Sequence, residues 1–156
     1  MRTFVYTSHP SRVVFGAGTV GRLGEEVERL GCSRVLLLSS GPLAAASARV
    51  REALGGLPAT EFDGAAMHTP AEVTEQALDV LKESSEDGIV AVGGGSTTGL
   101  SKAPALRTGL PKVILPTTCA GSEVTPVLGE TRTGARSRNR PRRSCPRPSS
   151  TTSNSH

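Results

Sequence analysis

Aromatic side chains are nearly absent from this chain: 156 residues include no Trp, one Tyr and three Phe. That length suffices for one domain, so the core must be filled by Val, Leu, Ile and Ala. Long apolar runs are missing too. No stretch approaches the ~18 residues a membrane-crossing helix needs. The opening Met1-Arg2-Thr3-Phe4-Val5-Tyr6 lacks the apolar centre of a secretory signal. The expected address is therefore cytoplasmic, with no membrane partner. Cys32, Cys119 and Cys145 are odd in number and far apart, which argues against a disulfide framework. Neither they nor His9, His68 and His156 stand at metal-ligand spacing. No metal is expected in this chain, and His68 is expected to be structural.

Acidic residues are absent from one region. Ala135 to His156 holds six Arg and no Asp or Glu, whereas residues 1–134 carry a net charge of −2. The overall +4 thus describes a mildly acidic domain joined to a basic tail. The tail is mostly Arg, Pro, Ser, Thr and Asn, which cannot offset an ordering cost of ~1–2 kcal/mol per residue. Disorder is expected over residues 135–156. A nucleic-acid-binding module is the non-enzymatic alternative that the arginines suggest. No stacking aromatic or recognition helix accompanies them, and no nucleic-acid partner is expected.

Over residues 1–134, short apolar runs alternate with amphipathic stretches, the pattern of βα units on a parallel sheet. The segment Arg12-Val13-Val14-Phe15-Gly16 reads as a short strand. Thr19 can cap a helix running to about Leu30, with Gly31 as its stop. Val35-Leu36-Leu37-Leu38 has no alternation, as in a strand covered on both faces, and Ser39-Ser40-Gly41-Pro42 ends it. A helix follows over Leu43 to Leu54, then a strand at Thr60-Glu61-Phe62. Thr69-Pro70-Ala71-Glu72 has the form of a reciprocal helix cap, with Pro70 in the first helical position. Val73, Ala77, Val80 and Leu81 then form one buried stripe, and this helix should end near Asp87-Gly88. The fold class expected is α/β: a doubly wound, Rossmann-like parallel sheet with helices on both faces.

Two loops carry the chemistry. Ile89-Val90-Ala91-Val92 runs directly into Gly93-Gly94-Gly95-Ser96-Thr97-Thr98, which opens a helix-like stretch reaching about Arg107. Glycines let a backbone approach an anion, and unpaired N–H groups at a helix start hold its charge. Ser96 and Thr97 can add hydroxyls and Lys102 a cation. The spacing is neither G-x-G-x-x-G nor a Walker loop, so an ordinary tight βα turn is the competing reading. The second loop, Pro116-Thr117-Thr118-Cys119-Ala120-Gly121-Ser122-Glu123, follows the apolar run Val113-Ile114-Leu115. In a doubly wound sheet both loops line one crevice, so Thr117, Thr118 and Ser122 can face the same ligand.

Together these segments carry a resemblance. Arg12-Val13-Val14-Phe15-Gly16-Ala17-Gly18, Gly93 to Leu100 with Lys102-Ala103, Leu106 to Pro111, and Pro116-Thr117-Thr118 with Ala120 to Glu123 resemble the iron-type alcohol dehydrogenase superfamily. Within it they are most similar to the maleylacetate reductases. Many metal-dependent relatives carry Asp where Gly99 stands, which argues against the alternative of a metal-dependent alcohol or polyol dehydrogenase, or a dehydroquinate-synthase-like relative; a metal-binding C-terminal half in the intact gene would favour it. The resemblance implies an NADH- or NADPH-dependent oxidoreductase, a homodimer at full length, that reduces 2-maleylacetate to 3-oxoadipate in aromatic breakdown. It also implies that Gly94, Gly95, Ser96 and Thr97 hold the pyrophosphate, that Lys102, Thr117 and Thr118 lie along the cofactor, and that Ser39 and Ser40 lie near its adenosine end. The choice between NADH and NADPH stays open, because Ser39-Ser40-Gly41 offers no acid for the ribose hydroxyls. A helical C-terminal catalytic domain belongs to the family and is expected to be missing here.

Two residues depart from the family pattern. Pro104 stands inside the helix after the glycine loop, at ~3 kcal/mol if truly interior. Cys119 replaces an aromatic. The resemblance is expected to end near residue 134, and a one-base slip of the reading frame there explains the change of composition. Read out of phase, the codons permitted from Ala135 onward include a buried-strand-like Val-Ile-Tyr-Asp. Sequencing the gene across this point is expected to show the slip; an intact frame giving the same residues in close relatives ends the idea.

Overall fold

A computed structural model describes residues 11–40, 44–67, 69–119, 121–125, 127–132 and 135–139. The expectations placed on His9, Gly41-Pro42, His68, Ala120, Cys145 and residues 140–156 lie outside the described residues.

Apolar runs without alternation become strands with no solvent side. Val35–Leu38 forms β1 and Gly88–Gly93 forms β3, and both are buried along their whole length. With Ala59–Phe62 (β2) and Lys112–Pro116 (β4) they make a parallel sheet of order β2-β1-β3-β4. Consecutive side chains point to opposite faces, and the helices divide accordingly. Leu37, Val35, Val90 and Val92 pack with Leu23 and Val27 of α1 (Leu23–Arg29) and Val50 of α2 (Ala44–Ala53). Leu36, Leu38, Ile89 and Ala91 pack on the other face with Ala77, Leu78 and Leu81 of α3 (Ala71–Ser84) and Leu100 and Ala105 of α4 (Gly95–Thr108). Leu36, Leu37 and Leu38 are each 0% exposed, and each contributes about 1.5–3 kcal/mol on burial. The doubly wound α/β class is the one observed.

Four expectations are corrected. Arg12–Phe15 is not a strand: Phe15 is 96% exposed, and no described strand lies beside it to pair its amides. Thr69 is not the helix cap. Its φ of +45° turns the chain before Pro70, which holds the cap position, and its N–H donates to the carbonyl of Ala66. α3 stops at Ser84 rather than near Asp87, because Ser85 turns left-handed at φ +55°. Ala135–Asn139, the first part of the basic tail, forms β6, antiparallel to Leu128–Arg132 (β5). β5 returns to the body of the fold where the N–H of Thr131 donates to the carbonyl of Thr69. Pro104 lies inside α4, buried, and the helix continues across it to Thr108.

Releasing Asp87 from the helix gives it a second task. Its carboxylate accepts the N–H groups of Ser33 and Arg34, at 2.9 Å each, and the Ser33 hydroxyl at 2.7 Å. It thereby joins the entries to β1 and β3. Burial pushes this carboxyl's pKa upward, but the Arg34 and Ser33 bonds outweigh it, and the net shift is below the ordinary value. A depressed folded-state pKa stabilises the fold above the unfolded-state value, and that stability is lost as pH falls through the folded one. Asp87→Asn is expected to lower stability at neutral pH, with the gap to the parent narrowing below about pH 4. Chemical denaturation across pH checks this; a gap that stays constant contradicts it.

Candidate functional site

From β1 the chain runs outward to β2, whereas β3 lies on the other side of β1. The strand order therefore reverses between β1 and β3, and the loops leaving their carboxyl ends part to leave a crevice. Ser39 and Ser40 leave β1 there. Ser39 is buried, its N–H donating to Phe62 O and its carbonyl accepting from Ala65 N, while Ser40 bridges Gly64. Gly93 ends β3 at φ +154°, where an L side chain is strained, and its carbonyl accepts the N–H of Thr117 at 2.9 Å.

Gly94 caps α4. Any Cβ placed on it would lie 3.0 Å from Thr118 Oγ1, so the glycine loop and the loop after β4 are held in close approach. Gly95, the first residue of α4, is exposed, with open space where a Cβ would stand. The fourteen-residue helix behind it directs its positive end to this point. Thr117 and Thr118 are exposed beside it.

A cleft of about 580 Å³ opens against this end of α4, lined by Gly95, Ser96, Gly99, Lys102, Ser122 and Thr125 among others. Four of the residues named from sequence, Gly95, Ser96, Lys102 and Ser122, thus share one wall system. Thr97 is only 1% exposed and turns into the core, away from this cleft. Ser39, Ser40, Gly93, Gly94, Thr117 and Thr118 lie outside the cleft lining, on the strand-end loops.

Lys102 departs most from expectation. It is buried, and its ammonium donates to the carbonyls of Ser122 and, at 3.0 Å, Val127, with the hydroxyls of Ser122 and Thr125 at 3.4 Å. Burial lowers its pKa, Lys112 adds to the effect, and Glu123 opposes it.

Sequence reasoning missed Thr69 and Gly99 as cleft residues. A Cβ on Gly99 would stand 2.6 Å from Thr69 Oγ1, so a side chain at position 99 and the observed Thr69 rotamer exclude each other. The motif His68-Thr69-Pro70 drew attention only as a helix start. Among the described residues no three His, Cys, Asp or Glu side chains gather into a metal site.

The model of the family described as iron-containing alcohol dehydrogenase matches residues 10–147. The chain belongs to that family. The match runs past residue 134, where the resemblance was expected to end. Within the family, maleylacetate reductase 1 of Rhodococcus opacus is 61% identical over 128 residues, 82% of this chain and 36% of the relative. The maleylacetate reductase of Rhizobium sp. (strain MTP-10005) is 49% identical over 136 residues, 87% of this chain and 39% of the relative. The crystal structure of maleylacetate reductase from Agrobacterium tumefaciens superposes with a TM-score of 0.83 at 46% identity, covering 90% of this chain and 40% of that one. The chain thus spans roughly two-fifths of the length of these relatives.

The Gly99–Thr69 contact gives a test of the site's packing. Gly99→Ala is expected to cost about 1–3 kcal/mol, the usual cost of overpacking, despite the better helix propensity of Ala. Adding Thr69→Ala should return much of that loss. Denaturant unfolding of both single variants and the double variant measures the coupling; simple additivity contradicts the contact.

Proposed function

We propose that residues 1–134 are the dinucleotide-binding unit of a maleylacetate reductase, a cytoplasmic, homodimeric enzyme that reduces the small molecule 2-maleylacetate to 3-oxoadipate with NADH or NADPH. Of the basic segment beyond residue 134, Ala135–Asn139 adds a strand to that unit by pairing with β5. One observation carries the reading: a bend between β3 and α4 formed by Gly93 at φ +154° and the crowded Gly94, opening onto Gly95, the exposed first residue of a fourteen-residue helix. The N–H groups of a helix's first turn have no partner within the helix, and a diphosphate supplies one with the charge that suits the dipole. The residues present fit such a group. Gly94, Gly95 and Ser96 would hold the pyrophosphate, Thr117 and Thr118 would flank it, and Ser39 and Ser40 stand toward the far side of the crevice.

When bound, the cofactor supplies the hydride. This chain's own residues bind and orient it; no described residue is assigned as catalytic. The likeness to relatives named maleylacetate reductase supplies the substrate.

Calorimetry on the whole chain is expected to show binding of NADH or NADPH, with no maleylacetate-dependent oxidation of either. Gly95→Ala separates the loop's two roles. Ala fits the open space and favours a helix by about 1 kcal/mol over Gly, so stability should hold or rise. Its methyl group covers the amides, and affinity should fall at least about tenfold, or 1.4 kcal/mol. No heat from the parent with either coenzyme refutes the proposal. Undiminished affinity in Gly95→Ala moves the pyrophosphate elsewhere.

A further inference from the structure

Lys102 was expected to meet the cofactor's phosphates, yet the structure gives its donors another use. An ammonium has three N–H donors and no acceptor. Two carbonyls, of Ser122 and Val127, and two hydroxyls, of Ser122 and Thr125, already surround this one. No donor is left over for a phosphate.

The loop that receives those bonds has few other holds. Thr125 N–H donates to Ser122 O and Gly121 N–H to the Glu123 carboxylate, both bonds inside the loop itself. Val124 is 59% exposed and Val127 38%, so apolar burial adds little there. Among the described residues, every hydrogen bond from Gly121–Val127 to α4 goes to Lys102. The same loop supplies Ser122, Thr125 and Val127 to the cleft, opposite Gly95 and Ser96.

We infer that Lys102 is a positioning residue: it ties the Ser122–Val127 loop to α4 and so fixes the cleft wall facing the glycine turn, without touching the ligand. The consequence for affinity rests on the reading of this cleft as the cofactor's seat; the tether itself does not. Lys102 and Gly95 lie on one helix, so the loop and the phosphate seat move as one body when the tether holds. Releasing it frees one wall and leaves the helix start intact.

The test is amide hydrogen exchange on the whole chain without ligand, followed by NADH titration over a range of salt. In Lys102→Met, exchange at Val124–Leu128 should quicken about tenfold or more, with β1 and β3 unchanged, because the opening is local. Lys102→Arg keeps the charge and donors and should retain most of the protection. NADH affinity should fall in Lys102→Met while the slope of log Kd against log salt stays as in the parent, since no phosphate contact is lost. If Lys102→Met does not fold, Lys102→Gln, whose amide falls short of Val127, gives the same comparison. Unchanged loop exchange in the folded variant overturns the inference. Unchanged exchange with a shallower salt slope assigns Lys102 to the phosphates instead. A parent that binds no dinucleotide counts against the proposed function alone, because the exchange result is read without ligand.

Discussion

The β1–β3 pair is covered by helices on both faces, so its buried amides and carbonyls have only neighbouring strands to bond. Parallel pairing of Val35 with Gly88 through Leu38 with Ala91 meets that demand. It also fixes where the chain must leave: both strands end on the same side of the sheet, and their connections run apart. The crevice is a consequence of the pairing rather than a separate feature. Asp87 secures the opposite end of the same pair, through the amides of Ser33 and Arg34.

Glycine matters here mainly as a missing side chain. At Gly88 a Cβ would meet Cys32 Sγ at 2.6 Å, at Gly94 the Thr118 hydroxyl at 3.0 Å, and at Gly99 the Thr69 hydroxyl at 2.6 Å. These contacts respectively draw the entry of β3 against the α1–β1 turn, the β4 loop against the glycine turn, and the segment before α3 against α4. Within the glycine turn Gly95 differs from Gly94, since a Cβ on it would meet open space. Three glycines in a row therefore do different work. Gly93 supplies a backbone angle, Gly94 a close approach, and Gly95 an uncovered surface.

Local pattern revealed the buried strands and the glycine turn because burial on both faces and a sharp bend each leave a mark on adjacent residues. Leu36-Leu37-Leu38 and Gly93-Gly94-Gly95 are such marks. Thr69 misled for the same reason: its neighbours Pro70 and Glu72 match a helix cap, but its backbone angle answers to Thr131, sixty-two residues away, whose N–H it accepts. Val13, Val14 and Phe15 show the converse, since a short apolar run forms no strand without a neighbour. Lys102 was legible as a residue of the site but not in its role, which depends on two carbonyls twenty and twenty-five residues further on. The pairing of Ala135–Asn139 with β5 was hidden by composition, since backbone bonds in a hairpin need no apolar side chains.

The cations of α4 point to one further step. Lys102 is taken up by the loop carbonyls, and Arg107 by Glu75 of α3 at 3.0 Å and Glu130 of β5 at 3.0 Å. Both therefore fasten residues 122–130 to the helix, a segment whose described side chains include one buried aliphatic anchor, Leu128. A helix whose charged side chains are taken up by its own chain offers an anion its first-turn amides, its dipole and the Ser96 hydroxyl. On the proposed reading of the cleft, recognition rests on backbone geometry. Gly94 and Gly95 differ accordingly: the neighbouring loop crowds a side chain at the first, whereas the second leaves the start of the helix uncovered.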